Sequence, residues 1–292
     1  MFEFLCIIIE QACIHFPLIL GSYISVSLMK VPDLSLESSF VFGALLSAIT
    51  LPYLEPLNSF AYLFIITMVS LTGGMIVGCV SSLLTQIIRI PHLLSSIITI
   101  GIFHGVSQLC AGSYVSLSKY KNPLYSFSIA LHPELPVLCT IFIICFFVIR
   151  YFFSTELGYC LAIFGNNPSF FKHYGISTRY VFITGIMIAN ALAGLSGYLV
   201  AQTNGFADLT MGFGKVLLCI TSLIIGKIVC NNMLSLIPAT TGIFSYFSLQ
   251  QLLLKGGFDL RYFSMIQALI ILLIMLLHYK KSPNVQHEQL GV

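Results

Sequence analysis

The chain has 292 residues, 58% of them hydrophobic and only 8% charged, with a formal net charge of +3. A soluble domain carries about 25% charged residues, so this composition excludes a soluble globular protein and leaves a polytopic membrane protein. The apolar runs are continuous rather than alternating at period two, which excludes a barrel and leaves helices of about 20 residues per span.

The first predicted span runs from Leu5 to Met29, and its opening, MFEFLCIIIE, lacks the basic region of a cleaved leader. A polar break at 30–37 follows. Ser39 to Leu51 is short for a full span and reads as a broken or re-entrant helix, a form tolerated where it lines a protein cavity. Asn58 to Gln86 is the longest span, and in it Ser70, Gly74, Gly78 and Ser82 recur every four residues. Such a stripe of small residues lets another helix approach closely. His92 to Cys110 spans again, residues 111–135 form a Ser/Tyr-rich loop, and Pro136 to Phe153 returns.

A long polar loop, 155–180, interrupts the apolar pattern. Val181 to Ala201 is the next span, with Ala189, Ala193 and Gly197 as a second close-packing face. Val216 to Val229, Met233 to Leu254 and Phe263 to His278 complete roughly nine membrane segments. Residues 1–279 therefore form one all-α membrane domain, and 280–292 a disordered tail.

Basic residues gather in cytoplasmic loops. With the tail inside, Lys30, Arg89, Arg150, Lys172, Arg179, Lys227, Lys280 and Lys281 share the cytoplasmic side with the 155–180 loop. Lys119, Lys121, Lys215, Lys255 and Arg261 fall in loops on the other side. The nine cysteines form no CxxC pair and lie in apolar runs, as small hydrophobes do. The histidines show no ligand spacing, so no metal is assigned.

Within the long loop, Gly165, Asn166, Asn167 and Pro168 are turn and helix-start residues. Ser169 to Tyr174 then reads as a short amphipathic helix closed by Gly175. Its Phe170 and Phe171, beside Lys172 and His173, are exposed aromatics suited to a partner's pocket or to the headgroup layer.

The second polar stretch is Gln202 to Gly214, with Asn204, Phe206, Asp208 and Met211 between turn glycines. Asp208 caps a surface turn or lines an entrance. Polar groups inside spans are functional suspects. Glu37, Ser39 and Asn190 are pathway or interhelix groups, and with Gln202, Asn204, Phe206, Asp208 and Met211 they are the candidates for the translocation pathway or a periplasmic gate.

The order Gly165, Asn167, Pro168, Gly175, Ile176 resembles the coupling loop of bacterial ABC importer permeases of the branched-chain amino acid/ribose type. ALAGLSGYLVAQTNGFADLTMGFG at 191–214 and PDLSLESSFVFGALLSA at 32–48 are similar to an uncharacterised, tryptophan/tyrosine-type branch of that family. Ser38, where glycine is expected, and Lys227, where an acid is expected, depart from its pattern.

The resemblance implies a type II importer permease fold in the bacterial cytoplasmic membrane. It also implies alternating access and coupling through the 155–178 loop to a separate cytoplasmic ATPase, which would bind the ATP. This chain has no GxxxxGK[ST] phosphate loop of its own and no expected cofactor. A second permease subunit and a periplasmic or lipid-anchored binding protein complete the implied assembly. The alternative is an ion- or proton-coupled secondary carrier, which would need intramembrane acids or inverted repeats.

Overall fold

The computed structural model describes residues 2–54, 58–118, 120, 135–230, 236–257, 265–269 and 271–272. Ten α-helices are bounded among the described residues: α1 (Phe2–Ser22), α2 (Ser35–Leu54), α3 (Ser59–Ile88), α4 (His92–Ala111), α5 (Leu135–Phe153), α6 (Glu156–Asn166), α7 (Phe170–His173), α8 (Thr178–Asn204), α9 (Lys215–Cys230) and α10 (Ile237–Lys255). Six of the described helices, α1 with its extension to Leu28, α2, α3, α4, α5 and α8, are long and apolar enough to cross a membrane. The ninth expected segment shows helix at 265–269 and 271–272, while the tail and Lys119 and Lys121 lie outside the described residues.

The second segment corrects the sequence reading. Instead of a short element from Ser39, α2 is one continuous helix of 20 residues, about 30 Å of rise, enough to span. Its polar first turn hid this length, because Ser35, Ser38 and Ser39 are buried against other helices rather than placed in water.

The core is built around α8, which packs on α1, α2 and α3. The most apolar windows of α1, α2 and α8 are 67%, 72% and 78% buried, against 17% for α5, so the first three are central and α5 peripheral. Close approach is achieved at glycines. A Cβ on Gly74 would overlap the Asn190 carbonyl, and one on Gly43 would lie 2.5 Å from the Gly194 Cα. Without a hydrophobic driving force between helices in lipid, such backbone-to-backbone packing supplies much of the association energy.

The α3 stripe lies along α8. Gly74 and Gly78 face Asn190, the Ser70 carbonyl meets Gly194, and Ser82 is buried on the same helix. Ala189 faces Gly21 on α1, Ala193 is fully buried, and Gly197 lies on the Phe40 carbonyl of α2. The same device joins α9 to α10, where Gly226 and Gly242 lie against the Pro238 and Ser222 carbonyls.

Helix α1 passes through Pro17 and ends in a π-helical turn, Tyr23–Leu28, closed by Met29 N–H donating to the Ile24 carbonyl at 2.9 Å. At the opposite end of the bundle, β1 (Tyr114–Ser116) pairs antiparallel with β2 (Phe206–Asp208), with Tyr114 opposite Asp208. This three-residue ribbon ties the ends of α4 and α8 together.

Candidate functional site

The 155–180 region is more ordered than a loop. Thr155 caps α6 and Glu156 opens it, placing an acid at the positive helix end. Residues 156–166, read from sequence as loop, are therefore helical. Gly165 brings the end of α6 onto the Leu28 carbonyl, and Lys30 donates to Asn166 Oδ1 at 2.8 Å. The first span and α6 thus meet on one face of the bundle.

Asn167 terminates α6 rather than starting the next helix, and Ser169 donates to its Oδ1 at 2.5 Å. The expected helix over 169–174 contracts to the single turn α7, in which Lys172 and His173 take part. Gly175 follows with φ +68°, the left-handed conformation suited to ending a helix. Phe170 and Phe171 part ways. Phe171 is fully buried, while Phe170 is exposed and stacks on the exposed Tyr174 at 4.4 Å between ring centroids. The expectation of two outward aromatics is corrected: one anchors the turn, and the outward pair is Phe170 with Tyr174. Around them Asn167, Pro168, Ser169, Gly175 and Ile176 are also exposed.

Inside the bundle lies a polar cluster that no sequence spacing announces. Asp33, in the break before α2, is buried 3.3 Å from His92 Nε2 at the start of α4. Asp33 Oδ1 accepts from Ser35 N–H at 2.9 Å and Ser35 Oγ at 2.6 Å, and Oδ2 accepts from Asn190 Nδ2 at 2.8 Å. Asn190 Oδ1 in turn accepts from Ser35 and Ser39, and its Nδ2 also donates to the Ile186 carbonyl. His92 Nδ1 pairs with Thr85 Oγ1 at 2.9 Å.

Burial alone would favour the neutral acid at Asp33. The His92 contact and the Ser35 and Asn190 donors outweigh it and hold the carboxyl below its ordinary value, so the group is a carboxylate. The cluster joins α2, α3, α4 and α8. It also lies near α6, because His92 meets the Phe182 ring edge-on at 5.2 Å and Phe182 meets Phe164 of α6 at 5.8 Å.

The other candidates lie apart from this cluster. Glu37 lines a cavity of about 260 Å³ with Ser38, Phe103, His104, Gly212 and Phe213. Its Oε1 accepts from Val216 N–H at 3.2 Å, capping α9. Asp208 Oδ1 accepts from Thr210 N–H at 2.7 Å and Thr210 Oγ1 at 3.0 Å, which fastens a turn. Phe206 stacks on Tyr114, Met211 is half-buried, Gln202 is buried within α8 and Asn204 is exposed at its end. The eight residues taken from sequence as pathway or gate candidates thus divide. Ser39 and Asn190 belong to the Asp33 cluster, Glu37 to the outer cavity, and Gln202, Asn204, Phe206, Asp208 and Met211 to the end of α8 and the turn after it.

Lys215 also moves. Sequence placed it in a loop, but it opens α9 and its Nζ lies 2.9 Å from His15 Nε2 in α1.

A family model described as branched-chain amino acid transport system / permease component matches residues 8–275. The chain belongs to this permease family. The family's members are transport components rather than enzymes, and this one is a multi-pass helical membrane protein. It is 33% identical over 223 residues to a tyrosine transport system permease protein of Clostridioides difficile (strain R20291), covering 75% of this chain and 71% of that one. It is 30% identical over 259 residues to an uncharacterised protein of Rickettsia prowazekii (strain Madrid E), covering 86% and 89%. No solved structure matches it.

Proposed function

We propose that this permease is the membrane-spanning subunit of an ATP-driven importer for a small solute of the amino acid class. The observation that carries the reading is the α6–α7 surface. It presents Phe170 and Tyr174 outward while Phe171, Gly165 and the Lys30–Asn166 bond fix it to the bundle. A rigidly mounted exposed aromatic pair is suited to receive force from a soluble partner. That partner is a cytoplasmic ATPase, and its closure presses on α7. The Phe164–Phe182–His92 contacts lie between α7 and the Asp33–Asn190 cluster, where α2, α4 and α8 can change their relative packing. Alternating access follows from that change, with Glu37 and the 206–214 turn on the opposite, extracytoplasmic side.

In this arrangement the cytoplasmic side holds α6, α7 and the carboxyl terminus. A second permease subunit encloses the pathway, and a binding protein delivers the solute. The amino acid class is supported by the family and by the tyrosine system of the Clostridioides relative.

Deleting Ser169–His173 tests the coupling assignment. Uptake should be abolished while membrane insertion is kept, and solute accumulation by the deleted chain would contradict it.

The Asp33–His92 pair gives the secondary-carrier alternative one point in favour, since it is a buried titratable pair. Its carboxyl, however, is held in the charged form, which suits a structural link better than a proton carrier. Uptake that persists without any ATPase and collapses with the proton gradient would favour the carrier.

A further inference from the structure

A second cavity, of about 320 Å³, lies between α1, α9 and α10 and is lined by Gln11, His15, Phe213, Lys215, Tyr246 and Gln250 among others. His15 sits midway along the first span, so this cavity holds a cation at membrane depth. A charge there is costly and marks function by default.

The hydrogen bonds define what the site lacks. His15 Nδ1 lies 3.0 Å from the Gln11 carbonyl, which can only accept, so this nitrogen carries the proton. Nε2 is then the acceptor for the Lys215 ammonium at 2.9 Å. The ammonium also lies 5.1 Å from the centre of the Phe40 ring. It has three donors, and neither neighbour is an anion. Among the described residues no carboxylate lies within 4 Å of the Lys215 ammonium; the Glu37 carboxyl, which accepts from the neighbouring Val216 N–H, acts on it only through space. Gln250 Oε1, which also lines the cavity, is buried and accepts no hydrogen bond among the described residues. Phe213, Tyr246 and Phe247 add an aromatic wall, beside Leu218 and the amides of Gln11 and Gln267.

We propose that this cavity binds a zwitterionic α-amino acid, with its carboxylate on Lys215, its ammonium on Gln250 Oε1 and its side chain against the Phe213 and Phe247 rings. Its volume falls in the range of about 300–1,000 Å³ of small-molecule sites. The ligand supplies an anion in direct hydrogen-bond contact with the buried cation, which Glu37 does not make, and a donor for the buried amide oxygen. Phe213, 87% exposed, lines both this cavity and the Glu37 cavity. It stands at the boundary where a solute would pass from one to the other. The ligand class accords with the transport reading above, but the site is tested without ATP or uptake, so either can fail alone.

The full-length chain, solubilised from membranes, is titrated with radiolabelled L-tyrosine, with tyramine, which lacks the carboxylate, and with 3-(4-hydroxyphenyl)propionate, which lacks the ammonium. L-tyrosine should bind tightest, with tyramine weaker by about tenfold or more, the scale of a charge-assisted hydrogen bond. K215Q should weaken L-tyrosine by a similar factor yet leave tyramine unchanged, and K215R should restore most of the loss. Q250L should weaken L-tyrosine but not the propionate. The comparison of ligands on the unaltered chain stands even if a variant misfolds. Tyramine binding as tightly as L-tyrosine, a folded K215Q binding L-tyrosine as the parent does, or no binding of L-tyrosine at millimolar concentration would each overturn the proposal. In the last case ATP-driven uptake, measured separately in cells, would still judge the transporter reading.

Discussion

Asn190, in the middle of α8, donates to Asp33 Oδ2 at 2.8 Å across 157 residues of sequence. The same side chain accepts from Ser35 and Ser39, so one amide locks the start of α2 to the central helix. Inside a membrane the partners of such a group cannot be replaced by water, which gives this amide more weight than its surface equivalent. Asn190→Ala should therefore lower stability by about 1–3 kcal/mol, because it leaves buried polar groups unmatched. Ser39→Ala, which removes one of two hydroxyl donors to Asn190, should cost about 1 kcal/mol or less. Melting midpoints in detergent would show this, and equal shifts for the two variants would contradict the central place of Asn190.

Acid should loosen this link. The Asp33 carboxyl is held below its ordinary value in the folded chain. Its stabilisation is complete above the ordinary carboxylate range, near pH 4, and is lost as pH falls through the lowered folded value. Melting curves taken down the acid limb should therefore flatten in Asp33→Asn. An unchanged acid limb would mean that Asp33 does not carry the effect.

The phenylalanine pair separates anchoring from docking. Phe171→Ala empties a fully buried position and should cost about 3–5 kcal/mol. Phe170→Ala should leave the melting midpoint nearly unchanged and reduce recovery of the proposed ATPase partner. The opposite pattern would reverse the roles of the two rings.

Close packing makes a sharper contrast. Gly74→Ala drives a methyl group into the Asn190 carbonyl, whereas at Gly101 nothing lies within 4 Å. Gly74→Ala should sharply reduce the monodisperse fraction on size-exclusion chromatography, while Gly101→Ala should leave it unchanged. A tolerated Gly74→Ala would mean that α3 and α8 can separate without loss.

The spans were legible because continuous apolar runs report directly on lipid. The α3 stripe was legible because its spacing of four survives in the helix. Gly175 could be read as a helix end because few other residues adopt its conformation. What escaped is of two kinds. Helix α6 carries its signals locally, Thr155 followed by Glu156, but at 11 residues it is too short to span a membrane and runs straight into the polar Asn166–Asn167 turn, so it read as loop. The Asp33–His92 and His15–Lys215 pairs join residues far apart in the chain, so no local pattern reveals them. Lys215 was further disguised by Gly212 and Gly214, which mark a turn but not where the helix after it begins. The polar start of α2 misled for the converse reason: Ser35 and Ser39 are there to bond Asn190, not because the helix has yet to begin.

The most direct test places a photo-crosslinking amino acid at position 170 of the chain in its own host, with position 206 at the other end of the bundle as the control. Coupling through α7 predicts a crosslink from 170 to a cytoplasmic ATPase subunit and none from 206. A chain that still accumulates its solute while position 170 captures no ATPase would contradict the coupling role of α7.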